Sequence, residues 1–224
     1  MPYPQAPWTL QGFSIQTVHL LDVEKARPLI PPEFEIISVW PGKTLGGVYI
    51  SSYVAGSVLQ YNELIVVPGM VSYAGKFGAW VSHIYVDNAA SVAGGRKIWG
   101  LPKELAEFSW THGDRSRVNV TQGDKQLCSI SYSDALVPLS TWWRQPLTGT
   151  SFSTLNSDLL LFKSDFEFRL KAASANLAVP SESPFASLDL GQPFLAAYAE
   201  DLGLVVHAPE VVGKIARTGE FSYG

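Results

Sequence analysis

Of the 224 residues only one is a cysteine, Cys128, and a lone thiol closes no internal disulfide. It sits in the strand-like run from Gln126 to Tyr132 and reads as a small buried hydrophobe, with nothing pointing to an oxidising compartment. Charge is also scarce: Asp, Glu, Lys and Arg make up 16% of the chain, with a net charge of −4. The basic residues are scattered singly, so no basic field exists to hold nucleic acid. That charge is low for a fully wetted monomer, which leads to the expectation of a homo-oligomer with a buried interface. No apolar run approaches the roughly 20 residues that a membrane helix needs. The start, Met-Pro-Tyr-Pro-Gln-Ala-Pro, lacks the basic-then-apolar order of a secretory signal, so the expectation is a soluble, cytoplasmic protein without a membrane span. His19, His83, His112 and His207 show no ligand spacing, which excludes a metal site on sequence grounds. Walker loop, dinucleotide-binding glycines and a Gly-x-Ser-x-Gly elbow are all missing, and no cofactor is expected.

What is present is apolar: 46% hydrophobic and 12% aromatic residues, ample for a core. No linker or charge block divides the chain, so residues 1–213 read as one domain followed by a polar, mobile tail at 214–224. Trp8 to Leu21 alternates as a first strand, and Asp22 is placed as the cap of a short helix, Val23 to Leu29, which Pro31 and Pro32 end. Gly46 to Leu59, Tyr61 to Ser72 and Gly78 to Val86 are β-rich. Asp87-Asn88 can cap the segment Ala89 to Trp99, in which Gly94-Gly95 signals close backbone packing or a break. Ala106 to His112, Arg115 to Thr121 and Gln126 to Tyr132 form a meander, with Gly113-Asp114 and Gln122-Gly123-Asp124 as turns. Leu136 to Thr150 reads as irregular, Leu159 to Ala175 as partly strand, Pro180 to Pro184 as loop and Pro193 to Val206 as a closing strand. Short strands, few helices and no alternating βαβ rhythm give an α+β, β-rich class, an antiparallel barrel or sandwich with short flanking helices.

The chemistry concentrates between Gly94 and Phe108. Lys103 follows Pro102 directly and is flanked by Trp99, Leu101, Leu105 and Phe108. A lysine in water has a pKa of about 10.4, and an apolar surrounding disfavours the ammonium and so favours the amine that attacks carbonyls. Lys103 is therefore the candidate Schiff-base nucleophile. In a Gly-rich turn such a lysine is otherwise an ordinary solvated residue. The catalytic reading requires an amine kept dry and facing a cavity; an amine on the outer surface, or locked to a carboxylate, counts against it.

Gly94-Gly95-Arg96, then Gly100-Leu101-Pro102-Lys103 and Leu105-Ala106, resemble the reactive-lysine segment of the acetoacetate decarboxylase family. Ala26 to Ile36 resembles that family's early helix and Pro-rich turn, and Tyr61-Asn62-Glu63 its Tyr-x-Glu. The resemblance implies a cone-like β-barrel holding the lysine in its cavity, an oligomeric assembly, and an imine formed with a small keto acid or ketone. Decarboxylation, or aldol-type addition and dehydration, would follow, classing the protein as a lyase. Lys103 and Glu63 are then the catalytic pair, the latter moving protons, and Tyr61, Arg96, Trp99, Leu101 and Glu104 are candidates for contact with substrate.

Two departures bear on the substrate. The family's second lysine is replaced by Glu104, which can lie on the opposite face of an extended segment and leaves desolvation to activate Lys103. The family's first-strand arginine, available to a substrate carboxylate, aligns with Gln11-Gly12, so Arg96 or Arg144 would have to stand in. An alternative reading follows, a non-catalytic barrel holding an apolar or isoprenoid-like molecule among Trp and Phe side chains. Trp142-Trp143 beside Arg144 can stack a ring-bearing ligand or sit at an interface or core edge. A structural oligomer subunit is the third reading.

Overall fold

The structure is a computed structural model and describes residues 3–113, 115–133, 137–138 and 144–215. In chain order the elements are β1 (Trp8–Asp22), α1 (Val23–Ala26), β2 (Glu35–Ile36), β3 (Lys43–Tyr53), β4 (Tyr61–Val67), β5 (Gly69–Tyr73), β6 (Lys76–Trp80) and β7 (His83–Val86). Then come α2 (Ala89–Trp99), β8 (Lys103–Leu105), β9 (Glu107–Thr111), β10 (Arg115–Gln122), β11 (Lys125–Ser133) and β12 (Val137–Pro138). The chain ends with β13 (Gln145–Leu155), β14 (Asp158–Ala172), β15 (Ala175–Ala178), β16 (Leu195–Val206) and β17 (Glu210–Lys214).

One sheet has 13 strands, ordered β2-β5-β6-β13-β14-β16-β1-β3-β4-β7-β8, with β12 and β17 both paired to β14. Among the described residues the path ends at β2 and β8, so the fold is β-rich as expected while closure into the expected cone-like barrel is not seen. The sheet is not wholly antiparallel either, since β6 pairs with β13 and β7 with β8 in parallel. The second case has a plain cause. Parallel neighbours need a crossover connection, and α2 supplies it between β7 and β8. The meander forms as expected and makes a separate sheet, ordered β15-β11-β10-β9.

Side-chain alternation gives the large sheet two different faces. Ile15, Ile50, Leu64 and Tyr85 point to one side, where Val118, Val120, Cys128 and Ile130 of the small sheet cover them in a continuous core. Their neighbours Ser14, Tyr49, Glu63 and Ile84 point to the other side and line a cavity. In β16 the parity of inward residues changes at a bulge, where Gly12 opposes Leu202 but Ser14 opposes Ala199. Ala197 and Ala199 before the bulge, and Leu202, Leu204 and Val206 after it, thus all line the same cavity.

Several sequence boundaries move. Asp22 makes no capping hydrogen bond; its carboxylate pairs with Lys43 at 2.7 Å instead. Val54 to Leu59 is turn rather than strand, and Pro68 splits the next expected strand into β4 and β5. Val81 and Ser82 separate β6 from β7, and the stretch read as irregular before Thr150 contains the first half of β13. Lys214 ends a strand instead of opening a tail; 216–224, with most of the expected tail, and Trp142-Trp143 lie outside the described residues.

Candidate active site

Helix α2 is built to bring one lysine into the cavity. Asn88 caps it, its side-chain oxygen accepting from the backbone N–H groups of Ala90 and Ser91 at 2.9 and 3.1 Å. Its buried residues are Ser91, Gly94, Gly95 and Trp99, a narrow face of small side chains closed by one large one. The two glycines break nothing. A Cβ at Gly94 would stand 2.5 Å from the Trp8 indole, and one at Gly95 would stand 2.5 Å from Cδ of Lys103. The helix therefore lets Trp8 and the lysine stem lie against its backbone. Gly100 ends it with φ 61°, a left-handed residue, pressed against the Thr154 carbonyl with no room for a side chain. Pro102 follows and cannot continue the helix, and Lys103 opens β8 beside Ile84, facing inward with it.

Lys103 is 3% exposed and Glu63 4%. Nζ donates to Glu63 Oε1 at 2.8 Å and to Ser91 Oγ at 3.0 Å. It also lies 5.0 Å from the Tyr61 ring centroid and 5.6 Å from that of Trp8, within range of cation–π attraction. On the far side of the carboxylate, the Tyr53 hydroxyl donates to Glu63 Oε2 at 3.2 Å and stands 3.3 Å from the Tyr49 hydroxyl. Register explains the cluster, since Ser51 opposes Glu63 and Tyr53 opposes Tyr61 across β3 and β4. Burial pushes the Tyr49 phenol up to about 12 and holds Tyr53 and Tyr61 well above the ordinary range, the Glu63 carboxylate adding to each. All three remain hydroxyl donors at neutral pH.

The cavity is about 570 Å³, the size that accommodates a drug-sized ligand. Tyr61, Glu63, Trp99, Leu101 and Lys103 all line it. Arg96 and Glu104 do not. Arg96 is exposed, and its Nε donates to the Lys103 carbonyl at 2.7 Å, bracing β8 from outside. Glu104 faces out, as strand alternation requires, and accepts from Gln122 Nε2 at 2.8 Å. Nor is Arg144 a stand-in for the missing first-strand arginine: it pairs with Glu167 at 3.3 Å and packs over Gly203. Sequence reasoning missed Ser91, Tyr49, Tyr53 and Trp8. Ser91 was legible as the residue one helical turn before Gly95, and the tyrosines as same-face neighbours four apart in β3. Among the described residues no cluster of His, Cys, Asp or Glu could hold a metal ion. No helix among them is long and apolar enough to cross a membrane.

Comparison with known proteins places this arrangement. Tomato (Solanum lycopersicum) protein NEOXANTHIN-DEFICIENT 1 is 28% identical over 219 residues, covering 81% of this chain and 74% of that protein. The protein of the same name from Arabidopsis thaliana is 34% identical, but that match covers 48% of this chain and 38% of the relative. Acetoacetate decarboxylase 3 of Mesorhizobium japonicum is 38% identical over 64 residues, or 29% of this chain and 24% of that protein. Among solved structures, acetoacetate decarboxylase from Legionella pneumophila superposes with a TM-score of 0.68 at 17% identity, covering 96% of this chain and 93% of its own. The enduracididine biosynthesis enzyme MppR, in complex with pyruvate, gives 0.70 at 17% identity, covering 96% and 92%. These two likenesses concern the fold. The sequence model described as acetoacetate decarboxylase matches residues 1–149, more than half of the chain and the part that carries both Glu63 and Lys103, and the chain therefore belongs to the acetoacetate decarboxylase family.

Proposed function

We propose that Lys103 forms an imine with a carbonyl compound bound in the cavity, with Glu63 as the proton carrier. The observation that carries this reading is the 2.8 Å contact between a buried amine and a buried carboxylate, both on the cavity wall. The amine is not free of a carboxylate, contrary to the condition set on sequence grounds, but its partner is the residue expected to move protons. A proton passed from Nζ to Oε1 leaves a neutral amine beside a neutral acid. The amine attacks the carbonyl carbon, and Glu63 relays this proton and a second one released by the nitrogen to the former carbonyl oxygen, which leaves as water. Ammonium plus carbonyl thus becomes protonated imine plus water, and the imine nitrogen then serves as electron sink for cleavage of a bond on the adjacent carbon. Tyr53, donating to Oε2, holds the carboxylate in place for both transfers.

Family membership and the likeness to a fold that binds pyruvate in MppR support the reading. Borohydride reduction in the presence of pyruvate, acetoacetate, a small diketone and a long-chain ketone, read by peptide mass spectrometry, should add mass at Lys103. An unmodified lysine with every carbonyl tested rejects it.

A second reading, non-catalytic binding of an apolar or isoprenoid-like molecule, is favoured by one observation. Among the described residues lining the cavity, only Lys103 and Glu63 carry charge. The tomato relative, named for a deficiency in neoxanthin, an isoprenoid, points the same way. Native mass spectrometry of the purified protein would then show a co-purifying ligand, and Lys103→Ala would leave it bound. A cytoplasmic location is part of the proposal, and the free, buried Cys128 fits it. A homo-oligomer is part of the same proposal: Trp40, 70% exposed, and Phe194, 73% exposed, are surfaces that a second copy would cover, and sedimentation tests it.

A further inference from the structure

We infer that the carbonyl compound taken by this site is a ketone or aldehyde on a long hydrocarbon body, without a carboxylate. The inference rests on the imine reading and narrows it. A keto acid brings an anion, and an anion in an apolar enclosure needs a cation or several donors to replace its water. Of the charged groups on the described wall, Lys103 is consumed as the nucleophile and Glu63 repels an anion. Arg96 and Arg144, the residues that would have to clamp a carboxylate, both lie outside, one on the backbone of β8 and the other on Glu167.

The distribution of polarity over the wall agrees. Beside the amine stand Ser91, to which it donates, and on the wall Tyr61 and the Tyr49–Tyr53 pair next to Glu63; the other polar residues of the wall, Ser14, Gln16, Thr148, Thr150, Ser151 and Ser164, are all uncharged. They suit a carbonyl or hydroxyl oxygen. Next to the tyrosines the strands β14 and β16 present mostly hydrocarbon, with Phe166, Phe168, Leu202 and Leu204 on the wall beside Ser164. A three- or four-carbon keto acid in about 570 Å³ would leave water standing against those rings. The apolar lining continues to the open side, where Phe77 and Leu147 are 62% and 55% exposed. Thr150 donates to the Phe77 carbonyl at 2.6 Å, which ties β6 to β13 at this rim. A body longer than the cavity can leave through it.

Without a carboxylate there is no carbon dioxide to lose. The bond that breaks after imine formation is then the C–H on the adjacent carbon: its electron pair moves to the imine nitrogen, giving an enamine, and its proton goes to the Glu63 carboxylate. The reaction class is isomerisation, dehydration or addition at that carbon.

The test uses the full chain with four probes: 2-undecanone, undecan-2-ol, pyruvate and acetoacetate. Borohydride trapping at equal concentrations should label Lys103 at least tenfold more with 2-undecanone than with either keto acid. Undecan-2-ol, which cannot form an imine, should bind both the native protein and Lys103→Ala, and should protect Lys103 of the native protein from trapping. Equal or better labelling by a keto acid, or failure of undecan-2-ol to bind the native protein, overturns the inference. Binding of undecan-2-ol with no labelling by any carbonyl overturns the imine reading instead, and leaves the preference for an apolar body standing.

Discussion

The same three strands, β1, β3 and β4, wall two interiors that were built to different ends. On one face Ile15, Ile50 and Leu64 meet Val118, Cys128 and Ile130 of the small sheet, and every one of these is 0% exposed. Cys128 is sealed there, its thiol pushed up to about 12 by burial, and it is chemically inert. On the other face, one residue along each strand, lie Ser14, Tyr49 and Glu63, open space of about 570 Å³, and an ion pair. A chain able to close one core to native density over these strands has left the other open. Empty volume and a buried charge pair are both costly in a domain whose net stability is small. Their coincidence marks the cavity face as the one shaped for a ligand.

The largest effect expected from disturbing that contrast comes from the pair itself. Lys103→Met should abolish borohydride labelling. It should also cost about 3–5 kcal/mol in urea denaturation, because the Glu63 carboxylate is left buried without its cation. The double variant Lys103→Met, Glu63→Leu turns the cavity face apolar like the core face. It should regain most of that loss while remaining unlabelled, since hydrophobic replacement of a buried pair is commonly neutral or stabilising. A double variant no more stable than the single one would mean that the pair is not sealed from water.

Truncating an aliphatic chain should then separate the two faces. Ile130→Ala, in the closed core, should cost about 2–5 kcal/mol, from lost transfer free energy plus a new cavity. Leu204→Ala, on the cavity wall, only enlarges a void that already exists, and should cost less than half as much by the same denaturation assay. Gly95→Ala sharpens the contrast further. Alanine is favoured over glycine in a helix by about 1 kcal/mol, which offsets part of the cost of disturbing the ion pair, so this variant should lose less stability than Lys103→Met. The new methyl meets Cδ and Cε of Lys103 at 2.5 and 2.7 Å, however, and must displace the amine. Labelling should fall about tenfold or more, as misplacement of a reacting group by an ångström can do.

How much of this was legible in the sequence follows from how local each cause is. The meander was, because Gly and Asp turns sit between alternating runs and pair consecutive strands. So was the inward position of Lys103 beside an outward Glu104, since strand alternation is a property of two adjacent residues. The position of Glu63 opposite Lys103 came only through a family motif. Its cause is the register of β4 against β7 and of β7 against β8, pairings set by the whole sheet. Arg96 was misread for a similar reason: an arginine in a motif looks like a ligand group, and only the turn of α2 shows that it braces the Lys103 carbonyl from outside. Closure of the large sheet was not legible either. Whether β2 and β8 meet depends on the accumulated twist of the strands between them, and no segment of sequence encodes that sum.

The smallest predicted effect belongs to the closed face and should separate it from the cavity face by pH. His19 lies on the same side of β1 as Ile15 and Leu21 and is 1% exposed. Its Nδ1 is 2.6 Å from the Leu190 carbonyl, which can only accept, so the ring donates there. Burial holds its pKa below the ordinary 6.5, outweighing the opposite pull of that hydrogen bond. The unfolded chain therefore takes up a proton at a higher pH than the folded one, and stability rises with pH across that window. The contribution is complete above pH 6.5 and is lost as pH falls below it towards the folded value. Its slope is at most about 1.4 kcal/mol per pH unit for one group. His83, also lowered by burial, acts with the same sign, so His19→Gln should flatten the curve between pH 7 and about 5 without levelling it. The lowered carboxyls of Asp22 and Glu200 start from ordinary values of 3.8 and 4.5 and act below that range. Urea midpoints measured on both proteins over this interval check it: parallel curves would mean that His19 is hydrated in the folded state, and that the closed face is not closed at its edge.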